Sequence, residues 1–180
     1  MLSSKDIKKY IERGYLVRDF IDLETQLQPS GFDLTLSKIF IPGNGGSIDF
    51  SNEKRKLPEL TEIALDNYVD LKPGIYNIVF NEYINLPKEV AAILLPRSSA
   101  LSCGIEVHTA LWDPGYHGRG LVYISIGRNV RLYKNARIAQ MVFFYVDNPG
   151  NEYSGIYKGE DLLKFSSSGN DESKNRRERV

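Results

Sequence analysis

Cysteine and histidine are scarce, with one Cys and two His in 180 residues. A single thiol, Cys103, excludes an intramolecular disulfide and a thiolate-rich metal site. A zinc centre of the His-x-Glu and Cys-x-x-Cys kind is excluded too, because only His108 and His117 stand beside that thiol. Neither sign of charge is in excess. The 23 basic and 23 acidic residues cancel, so no global field draws in nucleic acid or an anionic membrane, and any anion site has to be local. Long apolar runs are also missing. The start Met1-Leu2-Ser3-Ser4-Lys5-Asp6 lacks the apolar stretch of a signal peptide, and no run reaches the length of a membrane span. The expectation is a cytoplasmic protein with neither membrane nor nucleic acid as partner.

Helical periodicity is the last shortage. Residues 4–13 carry it: Ser4 suits an N-cap, Ile7, Tyr10 and Ile11 recur at helical spacing, and Gly14 stops the run. Elsewhere short stretches rich in Val, Ile, Tyr and Phe alternate with Gly, Pro and Asn. They predict strands at 32–36, 39–41, 74–80, 90–94, 121–126, 130–132 and 137–146. Turn chemistry divides them at Pro42-Gly43-Asn44-Gly45-Gly46, Lys72-Pro73-Gly74, Asp113-Pro114-Gly115 and Asn148-Pro149-Gly150. Many short strands with frequent turns mean a mainly β chain, a distorted barrel or jelly-roll with a short N-terminal helix. One domain is expected over 1–152, followed by a polar segment over 153–180 that contributes nothing to the core. From Ser166 the composition turns to serine, glycine and basic residues, which cannot offset ordering entropy by burial.

Three stretches suit phosphate chemistry. Arg97-Ser98-Ser99 offers a planar fork of N–H donors with hydroxyls beside it, and Ser98 could open a short helix. Asp113 follows Leu111-Trp112 and precedes a rigid Pro-Gly turn, which fixes the direction of a carboxylate able to take a proton from water. In Arg137-Ile138-Ala139-Gln140, strand alternation puts Arg137 and Gln140 on opposite faces unless a bulge intervenes. Asp33, between Phe32 and Leu34, should likewise point away from the apolar face.

These stretches, with Gln28-Pro29-Ser30-Gly31-Phe32-Asp33-Leu34 and Asp113-Pro114-Gly115-Tyr116-His117-Gly118, resemble in order the motifs of the dUTP diphosphatase and dCTP deaminase superfamily. The archaeal-type dUTPase branch is the nearer likeness. The resemblance implies a β-clip barrel and a homotrimer with sites between subunits, acting on a deoxyuridine nucleotide with Mg²⁺. Asp113 would activate the water that attacks the α-phosphorus. Arg97, Ser98, Ser99 and Gln140 would bind the triphosphate, and Arg137 would serve structure or a subunit contact. Asp33 would lie near the metal, usually through coordinated water. Tyr116 would pack on the deoxyribose, and His108, Thr109 and Ala110 would shape the base pocket largely through backbone. For the closing lid two segments compete. Tyr153-Ser154-Gly155-Ile156-Tyr157-Lys158, with Tyr157 and Lys158 as ligands, resembles one family tail, and Phe165-Ser166-Ser167-Ser168-Gly169 another.

Within that superfamily the deaminases resemble this chain less. They need a glutamate on the strand after Asp-Pro-Gly, and here it reads Gly120-Leu121-Val122-Tyr123-Ile124-Ser125-Ile126. Between His108 and Asn151 the only acids are Asp113 and Asp147, and Ser102 stands where deaminases carry an arginine. The expectation is a dUTP diphosphatase. Its rivals are a dCTP deaminase or bifunctional enzyme, and a catalytically silent nucleotide-binding regulator.

Overall fold

A computed structural model describes residues 1–164. Helix α1 (Ser4–Glu12) leads to strand β1 (Leu16–Arg18), the short helix α2 (Leu23–Gln26), and strands β2 (Leu27–Gln28) and β3 (Gly31–Pro42). Then come β4 (Leu60–Ile63), β5 (Tyr68–Leu71), β6 (Gly74–Phe80), β7 (Tyr83–Asn85), β8 (Val90–Pro96) and helix α3 (Ser98–Ser102). Strands β9 (Ile105–His108), β10 (His117–Gly118), β11 (Val122–Ile126), β12 (Val130–Tyr133) and β13 (Arg137–Tyr145) complete the order before a 3₁₀ turn at Leu162–Lys164. Every pairing between these strands is antiparallel, and an isolated parallel bridge joins Arg119 to Asp161.

The main sheet runs β8-β13-β3-β6-β11-β9, with β2 and β4 also on β3. The sequence predicts two strands where β3 is one, continuous over twelve residues. A register shift between Leu36 and Lys38 bends it, so its first half pairs with β2 and β13 and its second with β4 and β6. An extra residue turns a strand and raises its twist, which is how a sheet curls into a distorted barrel. Phe32, Leu34, Leu36 and Ile39 of β3 pack with Ile78, Ile124, Met141 and Phe143 in the core.

The N-terminal helix is capped one residue earlier than expected. Ser3, not Ser4, accepts from the Asp6 N–H, and the Asp6 carboxylate accepts from the Ser3 backbone in return. Ile7 is buried, and the Leu2 N–H donates to the Phe143 carbonyl at 2.8 Å, fastening the helix to β13.

A second polar contact lies inside the fold. Glu82 is buried, and burial pushes its carboxyl up from the ordinary value while hydrogen bonds from Thr35 and Gln26 pull it down. Its oxygens accept from Gln26 Nε2 at 2.7 Å, Thr35 Oγ1 at 2.6 Å and the Thr35 N–H at 2.9 Å. Gln26 also donates to the Asp33 carbonyl at 2.9 Å, so α2 is tied to β3 through the same side chain. Every neighbour donates. Glu82→Gln therefore turns an N–H₂ against one of these donors, and should cost about 1–3 kcal/mol of stability. Urea unfolding of the variant beside the wild type checks it; an unchanged midpoint contradicts it.

Candidate active site

The carboxylate of Asp33 does not face solvent. It is 1% exposed, because β3 is buried continuously from Gly31 to Leu36 between its neighbours. Arg97 Nε lies 2.8 Å from Asp33 Oδ2, and Arg137 Nη1 lies 3.2 Å from the same oxygen. Burial pushes this carboxyl up, and the two guanidiniums oppose the shift. The expectation of an outward-pointing charge is corrected here. In this structure the carboxylate is committed to two arginines, and a buried acid is tolerated because both cations compensate it.

Arg137 and Gln140 do not face opposite sides either. The β13–β3 register pairs Arg137 with Thr35, then shifts, and pairs Gln140 with Asp33. Directly paired residues share a face, and so do Asp33 and Thr35 two apart on one strand. The bulge therefore brings Arg137 and Gln140 to the same face. Gly31 makes room for this: a Cβ there would lie 2.6 Å from the Met141 carbonyl and 2.9 Å from Gln140 Cγ. Arg97 sits just before α3 and donates to the Arg137 carbonyl at 3.3 Å, while Ser98 and Ser99 are exposed at the start of that helix. Asp33 thus fixes two guanidiniums, with Gln140 alongside.

A second group lies apart from the first. Asp113, Pro114, Gly115 and Tyr116 form a turn closed by the Tyr116 N–H on the Asp113 carbonyl at 3.1 Å, with Gly115 at φ +77°. Pro at the first central position and a positive φ at the second define a type II turn, which only glycine takes without strain. Trp112, just before it, is locked by reciprocal backbone bonds with Ala92 at 2.9 Å each. Asp113 is half-buried on the wall of a cavity of about 530 Å³, and among the described residues nothing donates to its carboxylate. Thr109, Ala110, Tyr116, Asn77 and Glu160 share that wall, with Leu57, Pro58, Leu60 and Leu121 on the apolar side. Arg97, Ser98, Ser99, His108 and Gln140 do not line it.

Tyr116 is 6% exposed, and its hydroxyl is buried without a hydrogen-bond partner. Burial, with Glu160 next, pushes its pKa up. Its ring meets Trp112 edge-on at 4.9 Å and Tyr153 at 5.7 Å.

His108 stands outside the cavity, exposed on β9. Its Nε2 lies 3.1 Å from Ser125 Oγ and 3.6 Å from Glu106 Oε2. Glu106 is the residue that reading the sequence missed. It lies two residues before the His108–Asn151 stretch, whose only acids are Asp113 and Asp147, yet the β9–β11 register sets it directly opposite Ser125.

The segment after residue 152 does contribute to the core, contrary to expectation. Leu162 is buried with Phe40 and Val79, and Tyr153 and Tyr157 pack on the main core and line the cavity. Lys158 pairs with Glu152 at 3.7 Å. The segment at 165–169 and the basic run at 174–180 lie outside the described residues. Among the described residues no helix is long and apolar enough to cross a membrane.

The family described as dCTP deaminase-like matches residues 1–146. A protein of Archaeoglobus fulgidus named a probable deoxyuridine 5′-triphosphate nucleotidohydrolase is 43% identical over 164 residues, covering 90% of this chain and 98% of its own length. The Methanocaldococcus jannaschii protein named deoxyuridine 5′-triphosphate nucleotidohydrolase is 43% identical over 139 residues, 76% of this chain and 89% of its own. Among solved structures, the 2′-deoxycytidine 5′-triphosphate deaminase of Agrobacterium tumefaciens is similar with a TM-score of 0.61 and 23% identity. That match spans 79% of this chain and 47% of the other, and speaks for the fold alone.

The orphan hydroxyl of Tyr116 gives a direct test of the packing around it. Removing a buried group that bonds to nothing relieves its desolvation cost, so Tyr116→Phe should keep or raise stability, by up to about 1 kcal/mol. Thermal unfolding without ligand measures this, and a clear loss would mean that the hydroxyl has a partner.

Proposed function

The chain belongs to the dCTP deaminase-like family, and on that premise we propose that it is a dUTP diphosphatase, cleaving dUTP to dUMP and pyrophosphate. The observation that carries this reading is Asp113, held on a rigid turn at the wall of a nucleoside-sized cavity with its carboxylate free to accept. Asp113 takes a proton from water as the water oxygen bonds to the α-phosphorus. The bond from that phosphorus to the bridging oxygen breaks, and pyrophosphate leaves with the electron pair. Tyr116 packs against the sugar and leaves no room for a 2′-hydroxyl. Thr109 and Ala110 present backbone groups to the base, and Tyr157 adds an aromatic face.

Arg97, Ser98, Ser99 and Gln140 bind the phosphates, with Asp33 and Arg137 holding Arg97 in place. Lys158 reaches the γ-phosphate from the closing segment. The guanidinium group and the cavity are separate on one chain, which supports sites shared between the subunits of a homotrimer.

Among the described residues no three of His, Cys, Asp and Glu come together as a metal cage. With Asp33 occupied by arginines, the chain fits an ion that arrives on the substrate's phosphates and keeps its own waters. When bound, Mg²⁺ neutralises charge on the phosphate oxygens. Deamination has little support, since Tyr123 and Ser125 occupy β11 where the deaminases place a glutamate.

A panel of dUTP, dCTP, dTTP and UTP with Mg²⁺, scored for pyrophosphate and ammonia, tests the reading. Pyrophosphate should come from dUTP, and ammonia from none; ammonia from dCTP would return the deaminase. Asp113→Asn should lower turnover by about 10²–10⁴-fold while dUTP still binds, because shape is kept and only the base is lost. Near-normal turnover would remove Asp113 from the mechanism. Sharing between subunits has its own test. Co-expressed Asp113→Asn and Arg97→Gln chains, each inactive alone, should recover about a quarter of wild-type activity by random assortment into trimers. No recovery would confine each site to one chain.

A further inference from the structure

The stretch that carries Asp113 and Tyr116 is also the track on which the chain's later segment docks. The Tyr153 N–H donates to the Pro114 carbonyl at 2.8 Å, Gly159 to His117 at 2.7 Å, and the Arg119 N–H to the Glu160 carbonyl at 2.8 Å. Gly118 allows this closeness, since a Cβ there would lie 2.6 Å from the Glu160 carbonyl oxygen. At the end of the track stands Arg119, 10% exposed at its side chain. Its guanidinium has three attachments. Nη1 meets Asp161 Oδ2 at 2.9 Å, Nη2 meets Asp19, and Nε donates to the Asn81 carbonyl at 2.9 Å. Asp161 is 15% exposed and Asp19 is 52% exposed, so the arm toward the later segment is the more deeply enclosed.

From this geometry we infer that Arg119 is a positioning residue for substrate. Its Nη1 contact with Asp161 holds residues 153–161 against the Asp113 turn, so that Tyr153, Tyr157 and Glu160 complete the cavity wall. The inference rests on the reading of the cavity as the nucleotide site. Arg119 touches the N-terminal region through Asp19 and the docked segment through Asp161, one residue past the cavity-lining Glu160, so the two arms can be cut separately. Asp161→Asn takes the anion from the enclosed arm of a nearly buried guanidinium, where water cannot replace it, so the segment should undock; Asp19→Asn takes it from the half-exposed arm, where water can serve the freed N–H.

The experiment compares Asp161→Asn with Asp19→Asn in the full chain, with Arg119→Lys and Arg119→Ala beside them. Asp161→Asn should raise the KM for dUTP about tenfold or more with kcat changed far less, because the wall is lost and the base is not. Asp19→Asn should keep the wild-type KM even where its melting temperature falls. Arg119→Lys should lie between the wild type and Arg119→Ala, since an ammonium keeps the charge and loses the fork. Equal KM effects from the two aspartate variants, or a wild-type KM in Asp161→Asn, would overturn the inference. A second readout does not need turnover. Trypsin cleavage after Lys158, followed by mass, should be faster in Asp161→Asn than in Asp19→Asn. If the wild type failed to cleave dUTP while this difference held, the reading of the reaction would fall and the clasp would stand. Equal cleavage would sink the clasp itself.

Discussion

The ladder of strand β3 is the constraint on which the rest depends. It hydrogen-bonds to β2 and β13 along its first half and to β4 and β6 along its second, with a register shift between. A one-residue slip would move Phe32, Leu34 and Leu36 onto the face that holds Asp33 and Thr35, and bring those polar side chains into the apolar core. Because that register is fixed, Asp33 arrives opposite Gln140, and the bulge in β13 brings Arg137 to the same face. The electrostatic group is thus a by-product of backbone pairing. Its cations are held by an anion that water cannot reach.

Local chemistry was legible in the sequence, and chemistry made by pairing was not. The strands at 74–80 and 130–132 and the Pro-Gly turn at Asp113 follow from residue type alone, and the structure places β6, β12 and the turn there. Strands β1, β7 and β10 have two or three residues each, too few to show a period, and exist because they pair with one another. The alternation rule failed at Arg137 and Gln140 because a bulge leaves no signature in composition. It failed at Asp33 because burial of a charge depends on arginines that lie 64 and 104 residues further along the chain. Glu106 was invisible as a neighbour of Ser125 until the hairpin register was known. Polarity misled for the later segment: Leu162 and two tyrosines suffice to dock it, and backbone bonds do the rest.

One chain divides its polar chemistry between two places. Near β13 are guanidiniums that do not line the cavity, and near the Asp113 turn is that cavity, with Asp113 and Glu160 on its wall. Triphosphate and carboxylate repel at close range, so a wall of this kind needs cations brought to it from elsewhere.

The pairing of β3 with β13 has a consequence for how the molecule is made. The Asp33–Arg137 contact joins residues 104 apart in sequence, and closing so long a loop is paid in chain entropy before any contact repays it. Folds dominated by such pairings fold slowly. During synthesis β3 therefore waits with one edge open until β13 has left the ribosome. An open edge in a strand this apolar invites pairing with other chains, so the interval between residues 42 and 145 is when this protein is most exposed to aggregation.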